Sequence, residues 1–143
     1  MEYVNMNTNE NQKTNVNLTD NCKLAKLVGE TMRKTEQLSA MYSDIHHTKH
    51  SFDNGFLEIA SQSLSGGITM IRNKLSRYET AIQSMVIATR TSTDQKFKKL
   101  VLDMETVVKI INNNLQELSD QKLPVYMTDQ EACYVGLGYY GKS

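Results

Sequence analysis

A chain of 143 residues, 39% hydrophobic and 22% charged, has room for one domain with a modest core, which excludes a large multidomain enzyme. Its 16 Lys and Arg are balanced by 16 Asp and Glu, so no overall field draws nucleic acid or an anionic membrane to it; only local patches remain for that. No apolar run approaches the roughly 18 residues of a membrane span, and the opening MEYVNMNTNENQKTNVN lacks the basic start and apolar stretch of a signal peptide, so a cytoplasmic protein is expected.

Residues 1–21 are crowded with Asn (positions 5, 7, 9, 11, 15, 17 and 21) and hold few large apolar side chains, so they are expected to form a disordered arm. Thr19, Asp20 and Asn21 offer N-cap side chains, and from Leu24 apolar residues recur in alternating steps of four and three. Leu24, Val28, Leu38, Tyr42, Ile45, Phe52, Phe56 and Ile59 carry this heptad series, softened by Thr31, Thr35 and Lys49. Asp53-Asn54-Gly55 is a turn signal, but the series keeps phase across it, so a kink is expected there rather than a full break.

Ser65-Gly66-Gly67 is the strongest punctuation in the helical region and suits a left-handed C-cap, so the chain is expected to reverse near 65–67. A second series of Ile68, Ile71, Leu75, Tyr78, Ile82 and Met85 is lost in the Thr-rich run 89–93. A third, Phe97, Val101, Met104, Val108, Ile111, Leu115 and Leu118, resumes in shifted phase, so either the seam skips or the helix breaks at 89–94, where Ser92 and Gln95 offer a capping box for a new start. Pro124, the single proline, ends the helical region 22–122. Methionines 32, 41, 70, 85 and 104 lie on or beside these stripes as ordinary adaptable core residues.

Residues 123–143 are rich in Tyr and Gly and are expected to be an irregular tail whose Tyr134, Tyr139 and Tyr140 are available to a partner. Their last residues, GLGYYGKS from Gly136 to Ser143, match the phosphate-binding pattern GxxxxGK[ST], which works by aiming backbone N–H groups and a helix N-terminus at phosphate. The sequence ends before such a helix, leaving a docking peptide or the front of a longer P-loop nucleotide-binding protein as the two readings.

His46 and His50 stand four apart and would reach one divalent ion from a helix, but His47 occupies the place of the Glu in HExxH, and no metal is expected. Arg72, Lys74, Arg77, Arg90, Lys96, Lys98 and Lys99 face only Glu79 and Asp94 between Ile68 and Leu100, a basic stretch able to bind anions. Asp103, Glu105, Glu117 and Asp120 are its natural complement within or between chains, so nucleic acid is a possible partner but not the favoured one. No Ser/His/Asp ordering and no isolated carboxylate pair marks an active site, and Cys22 and Cys133 read as free thiols.

A helix, a Gly66-Gly67 turn and a second helix resemble in outline the small secreted hairpins of the WXG100 class. The chain has no tryptophan, and Tyr126-Met-Thr-Asp129 is one residue shorter than that class's tail signal. The size and the C-terminal tail are likewise similar in outline to flagellar-type export chaperones. Neither resemblance assigns a role to any residue.

The sequence therefore predicts an all-α fold: a long antiparallel coiled-coil hairpin with a disordered arm and irregular tail, or alternatively a compact four-helix bundle. Without a cofactor or catalytic motif, the expected function is non-enzymatic. The protein would be a structural or adaptor component that self-associates along its three apolar series and binds another protein, as in a virus or phage particle. An oligomeric nucleic-acid-binding protein using 72–99 and a truncated P-loop protein are the alternatives.

Overall fold

The computed structural model describes residues 9–49 and 54–141 and is all-α across them. Its helices are α1 (Asn9–Ile45), α2 (Asn54–Gln62), α3 (Leu64–Thr89), α4 (Gln95–Ser119) and α5 (Asp129–Tyr139). The central helix is α1, which packs against each of the other four and most extensively against α5.

Three contacts fix the direction of α3. Val28 lies beside Gly67, the Lys74 ammonium meets the Glu36 carboxylate at 2.9 Å, and the Tyr42 and Tyr78 rings stack at 5.0 Å, so α1 and α3 run parallel. The return is made by α2, antiparallel to α3: Lys74 sits 5.0 Å above the Phe56 ring, and Ala60 packs on Gly67. The corner between them is Ser63, whose hydroxyl accepts the Gly66 N–H at 3.1 Å and caps α3. Residues 90–94 then turn the chain into α4, where the Asp94 carboxylate accepts from the Lys96 and Phe97 N–H groups. Asn112 donates to Glu79, setting α3 and α4 antiparallel.

The last helix, α5, starts with a capping box in which the Thr128 hydroxyl accepts the Glu131 N–H and the Glu131 carboxylate accepts the Thr128 N–H. It runs parallel to α1, with Asn21 donating to Glu131 at one end and Arg33 over the Tyr139 ring at the other. Between these ties Gly29 and Gly138 face backbone directly: a methyl at either would collide with a main-chain carbonyl, Val135 or Lys26 respectively. The two helices therefore touch backbone to backbone, as close as helices pack.

The core gathers Val28, Met32 and Leu38 of α1, Phe56 and Ala60 of α2, Ile71 and Leu75 of α3, Met104, Ile111 and Leu118 of α4, and Val135 and Tyr139 of α5. Thr31 and Thr35 are fully buried in it because their hydroxyls donate to the carbonyls of Leu27 and Thr31 one turn back. Glu36 is buried as well, its charge met by Lys74.

Several expectations are corrected. The helix begins at Asn9, so residues 9–21, expected in the disordered arm, continue α1, while 1–8 lie outside the described residues. The interruption before Asn54 is a full break: α1 closes with the Thr48 N–H on the Ser43 carbonyl and the His47 N–H on that of Asp44, with His47 at φ 56°, a left-handed helix stop. The reversal falls at Ser63, and Gly66 and Gly67 open α3 instead of ending a helix; Gly67 serves the approach of Ala60. The break at 89–94 lies where the phase shift places it. The tail is not irregular throughout, since α5 fills much of it and supplies core residues.

Candidate interaction surface

The stacking of Tyr42 on Tyr78 sets the level at which α1 runs out. It stops three residues later at Ile45, whereas α3 continues eleven residues from Tyr78 to Thr89, about 12 Å beyond the end of α1. Over that distance α3 and α4 are paired mainly with each other. Burial follows: Ile82 is the last buried residue of α3 and Val101 the first of α4, while Ile87 and Leu102 stand 60% and 62% exposed.

Between the two helices on the outer side runs an open groove of about 690 Å³. Ile82 and Val86 of α3 and Leu102 and Val108 of α4 give it an apolar floor, and Glu79, Glu105 and Lys109 stand among its polar lining. Such a floor with a charged rim is chemically suited to receive apolar side chains from another helix pair and to select them by charge.

The basic stretch is divided by the fold. Lys74 is engaged with Glu36 and only 21% exposed, so it is not part of an anion-binding face. Arg72 and Arg77 are exposed along α3, and Arg90, Lys96, Lys98 and Lys99 cluster around the hairpin tip with Asp94 beside them; Lys99 is held by Asp103 at 3.2 Å.

The residues expected to form an oligomer seam are mostly satisfied within one chain. Val28, Leu38, Phe56, Ile71, Leu75, Ile82, Val101, Met104, Ile111, Leu115 and Leu118 are buried, and Leu24, Tyr42, Ile45, Tyr78, Met85, Phe97 and Val108 are half-buried. Ile59 is 43% exposed, and Phe52 lies outside the described residues. The tail tyrosines also divide: Tyr139 is buried, Tyr134 packs against the core, and Tyr140 is 63% exposed. Burial pushes the Tyr139 phenol above its ordinary value, with Glu36 adding to the rise and Arg33 opposing it. Burial likewise raises the Cys22 thiol, and the Glu131 carboxylate adds to it.

The GxxxxGKS segment is helix from Gly136 to Tyr139, and the Tyr140 and Gly141 N–H groups donate to the carbonyls of Gly136 and Gly138. Those N–H groups are thus committed to a helix end, with Gly141 at φ 70° as its left-handed stop; Lys142 and Ser143 lie outside the described residues. His46 stacks at 4.4 Å on Tyr42, and His50 lies outside the described residues. Among the described residues no three His, Cys, Asp or Glu side chains gather as a metal-ion set, and no helix is long and apolar enough to cross a membrane.

The groove was not legible in the sequence, because Val86 and Leu102, which line it, fall off the apolar series and read as isolated surface residues. No protein family, curated protein or solved structure matches the chain.

Proposed function

We propose that the chain is a non-enzymatic helical interaction protein that self-associates and binds a protein partner, a role suited to a cytoplasmic or particle-bound component of a larger assembly. The observation that carries this reading is the outward groove of α3 and α4, with Ile87 and Leu102 exposed where these two helices extend beyond α1. A second reading, nucleic-acid binding, is favoured by the gathering of Arg90, Lys96, Lys98 and Lys99 at one tip.

Light scattering after size exclusion, with circular dichroism on the same peak, tests the first: a helical species of two or more chains is expected, and a monomer at every concentration overturns self-association. Titration of a fluorescent oligonucleotide tests the second. Binding that falls steeply with salt would favour it, and no binding at low salt removes it.

A further inference from the structure

We infer that the α3–α4 groove is the seat of a second copy of the same chain, the two hairpins lying face to face and antiparallel about a two-fold axis. The proposal rests on the self-association reading and adds the surface and its polarity. The argument comes from charge. The Asn112–Glu79 hydrogen bond sets Glu79 level with Asn112 along the hairpin, and its antiparallel course sets Arg90 near the level of Val101. A two-fold axis passing near the level of residue 107 of α4 then brings Glu105 opposite the second copy's Lys109. On α3 the same axis brings Arg90 opposite its Glu79. Each pairing occurs twice, because an isologous contact repeats itself.

Parallel pairing would put the two-fold axis along the hairpin and lay α3 on the second copy's α4, with Glu79 at the level of its Asn112 and Arg90 at that of its Val101, so none of these four charges would be paired. Polyanions suit this face less, since Glu79 and Glu105 line the groove itself. The apolar part agrees: Leu102, too exposed for a lone hairpin to cover, would enter the other copy's groove at the level of its Glu79 and Asn112, beside its Ile82. Helices of 26 and 25 residues present a face about 38 Å long and about 20 Å wide, on the order of the 800 Å² per partner that a specific interface buries.

The test combines one disruptive variant with two variants of the full chain in which the introduced cysteine is the single exposed one, Cys22 being buried. Leu102→Glu, at an exposed position, is expected to keep the circular dichroism of the parent while weakening the dimer about 30-fold or more in light scattering. In a Cys133→Ser background, Thr106→Cys lies near the axis and is expected to cross-link to itself under mild oxidation, whereas Asn113→Cys is not. A parent that is monomeric at every concentration overturns both this proposal and the self-association reading. A dimeric parent whose Leu102→Glu variant stays dimeric leaves self-association standing and overturns the surface. Cross-linking through Asn113→Cys as readily as through Thr106→Cys overturns the antiparallel arrangement, and should Leu102→Glu unfold, the cysteine pair decides alone.

Discussion

Gly138 and Gly136 stand two residues apart in α5 yet occupy opposite environments. A Cβ on Gly138 would press into the Lys26 carbonyl and the Glu30 N–H of α1, whereas one on Gly136 meets nothing within 4 Å. Gly138→Ala is therefore expected to cost about 3 kcal/mol, because backbone cannot step aside as a flexible side chain can. Gly136→Ala is expected to gain about 0.5–1 kcal/mol from helix propensity alone. Urea denaturation of both variants checks the contrast, and equal effects would mean the crossing is not as close as described. In the sequence the glycines look alike, since what separates them is a partner more than 100 positions away. Thr31 and Thr35 misled for a different reason: as polar letters they softened the apparent apolar series, but hydroxyl bonds one turn back let the core accept them, and Lys74 lets it accept Glu36 beside them.

Between elements, the α1–α5 contact holds two ionisable groups whose protonated forms the fold prefers. Cys22 is raised from 9.0 chiefly by burial and then by Glu131; Tyr139 is raised from 10.0 by burial, then Glu36, against Arg33. The unfolded chain releases these protons first, so their contribution is complete below pH 9 and is lost as the solution passes 9.0 and then 10.0 toward the raised values. Denaturation midpoints are expected to fall across that alkaline range, and Tyr139→Phe should flatten the upper part of the decline. A decline unchanged in that variant would place its origin elsewhere. At this scale α4 was the most legible element: Val101, Met104, Ile111, Leu115 and Leu118 are buried where the spacing predicts, although its cap is Asp94 and not the expected box of Ser92 and Gln95, Ser92 accepting the Asp94 N–H instead. The least legible was α5, because two glycines and two tyrosines in eleven residues resemble a loop when the surface receiving them is unknown.

For the molecule as a whole, the all-α class and the interruption between the second and third apolar series followed from periodicity, but the pairing of α3 with α4 and the helix that lies at the centre did not. Three similar apolar series admit several arrangements, and the choice of α1 depends on α5 covering a face that periodicity left unassigned. A chain ending at Leu123 makes this measurable. It removes the buried Val135 and Tyr139 and uncovers Ala25 and Gly29, so broadened unfolding with increased dye binding to apolar surface is expected. Retention of a sharp transition would show that α1 to α4 close a core without it.

The same contact bears on the birth of the molecule. Asn21 and Glu131, which tie α1 to α5, are 110 residues apart in the chain. At about 5–20 residues per second a ribosome needs roughly 5–20 s to pass from one to the other. During that interval the strip of α1 around Ala25 and Gly29 waits for its cover, longer than local helix formation takes by several orders of magnitude. Synthesis rate and the chaperones that shield nascent helices thus bear on the yield of this fold more directly than the strength of any single contact.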